Sequence, residues 1–251
     1  MKIDNNDCLR DVSAQVVPRW KRLLDLLLIL ISLPLWLPLM MLLCAWIKLV
    51  SVGPVFYRQQ RVGRGGQLFQ LFKFRSMKPN VETRVHEEYF ASLIASGAPM
   101  TKLDSSGDDR LIPMGKFLRA VGFDELPQIF NVVRGEMSLV GPRPCTPNEY
   151  QYYRRSYRKR FEVAPGLTGY WQVHGKNRTT FTQMMTMDRL YAQRMSPMLD
   201  LLILLRTGLV LLAHTRTYGR VEIRPNPVSK ILAVPTSQKP LPRPAEYSLQ
   251  L

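Results

Sequence analysis

The sequence predicts an α+β protein, mostly helical, that meets a membrane through one apolar N-terminal helix and carries a small β-hairpin and interfacial amphipathic helices. Three observations lead there. Leu26 to Ile47 is a run of 22 residues without a charge, bracketed by Asp25 and Lys48. Two β-prone runs, Val55 to Tyr57 and Leu68 to Phe74, flank the glycine-rich stretch Arg61-Val-Gly-Arg-Gly-Gly66. Further on, basic and aromatic residues interleave in helical stretches such as Glu149 to Val163.

Composition frames this reading. The chain has 251 residues, 46% of them hydrophobic, and 35 Lys+Arg against 19 Asp+Glu give a formal charge of +16. That length suits one large or two small domains with a real core. A collagen-like or wholly disordered chain is excluded. The charge calls for a polyanionic partner, with nucleic acid and an anionic membrane surface as the leading classes. Cys8, Cys44 and Cys145 are odd in number and far apart. They build neither a zinc site nor a disulfide framework, which favours a reducing compartment.

The elements follow in order. Residues 1–18 are polar and mixed and read as a flexible extension. Residues 19–50 form the membrane segment, long enough as a helix to cross a bilayer at about 1.5 Å per residue. The segment starts too far into the chain, and lacks the cleavage site, for a secretory signal. Pro34 and Pro38 each remove a helix hydrogen bond and favour a kink. Arg19, Lys21 and Arg22 precede the segment, and Lys48, Arg58, Arg61 and Arg64 follow it. A spanning helix keeps its basic flank on the cytoplasmic side. Two readings therefore stay open on pattern alone: a helix that bends at the prolines and leaves on the side it entered, and an ordinary kinked span.

The glycine-rich stretch fits a hairpin turn better than either common phosphate-binding motif. Val81 to Ala95 reads as helix, Ser96 to Asp109 as loop, and Ile112 to Val133 as one or two helices punctuated by Gly122 and Pro127. Gly141-Pro-Arg-Pro144 must be extended or turning. Pro197 to His214 is apolar but holds Asp200 and Arg206, so it lies on a membrane or in a core. Residues 51–214 thus form the main domain. Residues 215–251, with six prolines in the last 27, read as a flexible tail.

Charge is concentrated in two places. Seven Lys/Arg face one acid between Pro54 and Arg84, and seven face one acid between Tyr150 and Thr180. Next to an apolar segment, such stretches engage anionic lipid headgroups. Tyr152, Tyr153 and Tyr157 would suit base stacking. No nucleic-acid motif accompanies them, and the apolar run has no purpose in a nucleic-acid-binding module.

The stretch from Arg119 to Pro144 carries the chemistry. Adjacent Asp124 and Glu125 among apolar neighbours suit either a nucleophile with a metal ligand or an acidic pair at a helix start. Arg143, framed by Pro142 and Pro144, suits anion binding. Carboxylates, a divalent cation and arginines beside a membrane point to phosphoryl transfer.

Several ordered motifs carry a resemblance. They are Lys21-Arg22 with Asp25, Gly53 to Gly63, Lys73-Phe-Arg-Ser-Met77, Asp124-Glu-Leu-Pro-Gln128, Met137 to Pro144, Pro165 to Val173, and Asp188 with Tyr191. Together they resemble the bacterial sugar transferase family, the monotopic polyprenyl-phosphate phosphoglycosyl transferases, from Lys21 to about Leu212. The resemblance implies a membrane protein on the cytoplasmic face of the bacterial inner membrane, with a proline-broken re-entrant N-terminal helix. It also implies a two-step reaction. Asp124 attacks the β-phosphorus of a UDP-sugar and releases UMP. The phosphate of a polyprenyl (undecaprenyl) carrier then displaces the aspartate, beginning a surface glycan such as exopolysaccharide, O-antigen or capsule. In this scheme Asp124 and Glu125 hold Mg²⁺, and Arg75, Arg119, Pro142, Arg143, Gln172 and Arg178 line the substrate pocket. The partners it implies are the UDP-sugar, the polyprenyl phosphate and membrane lipids, without nucleic acid and with room for a homodimer. At the helix break the family carries Ser-Pro where this chain has Leu37-Pro38, with Ser32 and Pro34 a turn earlier. The break is expected at Pro38.

Overall fold

The computed structural model describes residues 15–78, 84–100, 111–151, 153, 155–175 and 178–218. Most of the extension expected before residue 19, the loop at 101–110 and the tail from 219 lie outside the described residues. Eight α-helices and four short strands are present among the described residues. They are α1 (Arg19–Val50), β1 (Phe56–Val62), β2 (Leu68–Phe74), α2 (Arg84–Ser96), α3 (Gly115–Val121), α4 (Ile129–Arg134), β3 (Ser138–Val140), α5 (Pro147–Gln151), β4 (Gly166–Thr168), α6 (Tyr170–His174), α7 (Phe181–Arg194) and α8 (Pro197–Tyr218). Tighter 3₁₀ turns cover Phe123–Gln128 and Arg155–Glu162. The protein is mostly helical, as the sequence predicts.

The hairpin forms where expected. β1 and β2 pair antiparallel from Phe56 opposite Phe74 to Val62 opposite Leu68, around a turn at Arg64–Gly66. A second, parallel pair joins β3 to β4 and was not anticipated. Three glycines permit it. A methyl on Gly141 would overlap the Ala164 carbonyl oxygen, one on Gly166 the Gly141 nitrogen, and one on Gly169 the Gly141 carbonyl oxygen. Backbones this close leave no room for side chains, so the loop after β3 is locked onto the start of α6.

α1 is where expectation and structure differ. Helical geometry runs from Arg19 to Val50 with Pro34 and Pro38 inside it, so the helix does not stop at Pro38. Side chains enter the turn ahead of Pro34. The Ser32 hydroxyl donates to the Leu28 carbonyl at 2.6 Å, and the Trp36 indole donates to the Ile29 carbonyl at 3.0 Å. Both bonds fold a polar side chain back onto the helix's own backbone, so neither donor is left bare on an apolar helix.

One stripe of α1 packs on the rest of the protein from end to end. Lys21, Asp25 and Ile29 are buried near its start, and Met40, Leu43 and Ile47 near its end. Ile29 joins Leu71, Ile129, Val132 and Met137; Met40, Leu43 and Ile47 join Phe74, Ile112 and Leu118. The Lys21 ammonium donates to Asp200 (2.5 Å) and to the Tyr191 hydroxyl (2.9 Å), while the Asp25 carboxylate accepts the Leu139 N–H at 3.0 Å. Along the opposite face Leu23, Leu27, Leu30, Ile31, Leu35, Met41, Leu42 and Leu49 are exposed. An apolar surface of that extent marks a lipid or partner contact.

The 149–163 segment departs from the expected single helix. α5 ends at Gln151, and the chain then winds as a 3₁₀ turn, which lets Tyr153, Arg160 and Phe161 all point inward. They pack with Tyr150, Trp171, Phe181, Met184 and Met185 in an aromatic-rich core.

Candidate functional site

The Asp124–Glu125 pair sits in the first turn of the 3₁₀ segment after α3. Gly122, at φ 85°, ends α3 in the left-handed region and turns the chain sharply into the pair. Asn131, fully buried on α4, then fixes this segment against the hairpin. Its side-chain oxygen accepts the Phe72 N–H at 3.0 Å, and its side-chain amide donates to the Gln70 carbonyl at 2.7 Å and to Glu136 at 2.6 Å. β2 therefore runs beside the carboxylates, and Lys73 donates to Glu125 at 3.1 Å.

A small, partly open cavity lies at this point. Of the residues expected at the site, Glu125, Arg143 and Gln172 line it. Arg61, Lys73 and Gln128 line it too, although the sequence analysis did not single them out as site residues. Lys73 stands in the Lys73-Phe-Arg-Ser-Met77 motif and Gln128 closes the Asp124 motif, so their membership in motifs was the available signal. Asp124, half-buried, neighbours Glu125 in the chain without lining the cavity itself.

Arg143 reaches the cavity from a rigid loop. Its carbonyl accepts from Arg160 at 2.6 Å, and the next carbonyl, of Pro144, accepts from Arg61 at 3.1 Å. Arg160 is itself buried and ion-paired with Asp188 of α7 at 2.6 Å, and it donates to the Tyr153 hydroxyl at 3.1 Å. Burial pushes the Asp188 carboxyl up to about 6 against the opposing pull of Arg160 and Arg143. A capping box between Thr180 and Gln183 starts α7 and sets Asp188 in place two turns later.

The other expected residues stand elsewhere. Arg75 is buried with both terminal nitrogens engaged, donating to the Val52 carbonyl at 2.7 Å and the Ser51 carbonyl at 2.8 Å. It secures the chain leaving α1 and does not line the cavity. Arg119 closes α3, and Arg178 is exposed after Gly175; neither lines the cavity. Pro142 lies on a second, smaller hollow shared with Arg160 and Phe161, and its carbonyl accepts the Gly166 N–H at 2.9 Å.

Two adjacent carboxylates do not make a protein-built metal cage, and no cluster of three or more ligating side chains occurs among the described residues. They do fit Mg²⁺, which binds through one or two carboxylates together with substrate phosphates and water. The arrangement as a whole offers a carboxylate nucleophile and cations for phosphate oxygens.

Comparison with known proteins identifies the group to which this constellation belongs. The model of the bacterial sugar transferase family matches residues 16–214. The chain belongs to the bacterial sugar transferase family. This sugar transferase is similar to the exopolysaccharide production protein ExoY of Sinorhizobium fredii, 37% identical over 188 residues, covering 74% of this chain and 83% of that one. It is 38% identical over 206 residues to the UDP-glucose:undecaprenyl-phosphate glucose-1-phosphate transferase of Caulobacter vibrioides, covering 79% and 72% of the two chains. With the undecaprenyl-phosphate galactose phosphotransferase of Salmonella typhimurium it shares 36% identity over 199 residues, 79% of this chain and 41% of the relative. The sugar transferase thus spans less than half the length of that larger relative.

Proposed function

We propose that this sugar transferase moves a sugar 1-phosphate from a UDP-sugar to a polyprenyl phosphate, undecaprenyl phosphate in the cell, as the first step of a surface glycan. The observation that carries the reading is the cavity itself, where Glu125 of the Asp124–Glu125 pair faces Lys73, Arg61 and Arg143. Asp124 attacks the β-phosphorus, the bond to the UMP oxygen breaks, and a phosphosugar-aspartyl ester forms. The carrier phosphate oxygen then attacks the same phosphorus and returns Asp124 to its carboxylate. A carboxylate nucleophile divides one difficult displacement into two similar ones. Mg²⁺ held by Asp124 and Glu125 would offset charge on the diphosphate. Lys73 orients Glu125, and Arg143 meets phosphate oxygens from a loop too rigid to follow them.

The names of the relatives support the substrate class, with glucose and galactose as the first sugars to test. Purified enzyme incubated with undecaprenyl phosphate and a panel of nucleotide sugars should release UMP with one UDP-hexose and form a lipid-linked sugar in equal amount. Silence with every donor would remove the reading.

A placement of both ends of α1 on one side of the membrane, with the exposed apolar face toward lipid, is supported by the burial of Lys21 and Ile47 in the same domain. A span would draw a domain rich in arginine into hydrocarbon. Reporters fused at Met1 and Leu251 should both score on the cytoplasmic face of the inner membrane. A periplasmic N-terminus would show that α1 crosses.

A further inference from the structure

We propose that Arg61, together with Arg143, forms an oxyanion subsite that takes a phosphate group of the substrate. This rests on the sugar-phosphate transfer proposed above and adds a binding residue to it. Arg61 lies on β1 and is 6% exposed, yet it lines the cavity beside Lys73 and Arg143. Its two terminal nitrogens are partnered: one donates to the Pro144 carbonyl at 3.1 Å, the other to the Gln59 side chain at 2.7 Å. Its Nε has no partner among the described residues. The Glu149 carboxylate approaches only to 3.9 Å, too far for a hydrogen bond.

Comparison with the other buried guanidiniums gives this its force. Arg160 has a carboxylate at 2.6 Å and Arg75 two main-chain carbonyls; each also keeps an unpartnered Nε, but of the three only Arg61 lines the cavity beside Glu125. Among the described residues the ion-pair partner of Arg61 is Glu149, which stands 3.9 Å away, where Arg160 has Asp188 at 2.6 Å. Burial lowers the Arg61 pKa, Glu149 opposes that, and the Arg143 charge lowers it further, which means that the two guanidiniums repel across the cavity. The cavity's single carboxylate, Glu125, is already paired with Lys73. Like charges lining one cavity are reconciled by an anion between them. A phosphate group, with several oxygens at tetrahedral angles, matches guanidinium donors well.

The subsite serves either the donor diphosphate or the carrier phosphate, and the two are separable. Full-length wild type, Arg61→Met and Arg61→Lys, in lipid nanodiscs, would be titrated with inorganic pyrophosphate by calorimetry. Steady-state KM would then be measured for the UDP-hexose and for undecaprenyl phosphate. Arg61→Met is expected to weaken pyrophosphate binding at least tenfold and to raise one KM by a similar factor; Arg61→Lys is expected to recover part of both. A rise confined to the UDP-hexose assigns the subsite to the donor, and one confined to undecaprenyl phosphate assigns it to the carrier. Pyrophosphate binding and both KM values unchanged, with only the melting temperature lowered, would overturn the proposal and leave Arg61 as a support for Pro144. Should Arg61→Met not fold, the same readouts on Arg61→Lys decide. The calorimetric arm needs no turnover, so an enzyme silent with every donor would fail the proposed reaction without deciding the subsite.

Discussion

Asp124→Asn is expected to abolish exchange between the nucleotide sugar and labelled UMP, lowering its rate by at least ~10³-fold. Exchange needs only the first half of the reaction, so the measurement isolates the step in which Asp124 bonds to phosphorus. A carboxamide keeps the size and shape of the side chain but has no oxygen able to form the ester. Asp124 is half-buried in a turn held by Gly122 and Pro127, so the variant should fold and melt like the wild type. Full-rate exchange in the purified variant would take the nucleophile away from Asp124. Glu125→Gln gives a useful contrast. It leaves the nucleophile and loosens Lys73, so it should slow the reaction without removing the capacity to form the intermediate.

Asp188→Ala should produce the largest loss of stability, about 3–5 kcal/mol, because it strands a fully buried guanidinium. Arg160 and Asp188 have side chains 1% and 2% exposed, and their separation is 2.6 Å. The raised Asp188 pKa, caused first by burial, records how strongly this environment opposes a lone charge. Replacing both partners with apolar residues, Arg160→Met with Asp188→Leu, should cost much less than the single change. Urea unfolding of the single and double variants in the same nanodiscs measures the difference. The double variant should nevertheless lose activity, since Arg160 also holds the Arg143 carbonyl at 2.6 Å. Equal destabilisation by the single and double changes would show that the ion pair is not what the site requires.

Local features were the most legible in the sequence. The uncharged run from Leu26 to Ile47 announced α1, and the glycines between Val62 and Gln67 announced the hairpin, because both are contiguous signals. Glu125, Arg143 and Gln172 were found through motif resemblance, and the fold brings them to one cavity. Pairings between distant positions were not legible. Nothing in local periodicity tells Lys73 that it will meet Glu125, or Lys21 that it will meet Asp200, 179 residues away. β3 and β4 are three residues each, too short for an alternating pattern, and their signature was instead the close glycine packing at 141, 166 and 169. Arg75 shows that a motif residue can carry a contact no motif announces: from Lys73-Phe-Arg-Ser-Met77 it donates to the Ser51 and Val52 carbonyls.

The contacts of α1 also order events during synthesis. This helix is made before the elements it packs on, and Tyr191 and Asp200, which complete Lys21, follow it by 170 and 179 residues. At roughly 5–20 residues per second, that gap lasts on the order of ten to thirty seconds. Throughout it, Lys21 and Asp25 stay hydrated, and the helix is a bare template onto which the later chain condenses. The apolar helix therefore waits for the elements it packs on, and the loop at Arg143 becomes rigid only when α7 arrives with Asp188.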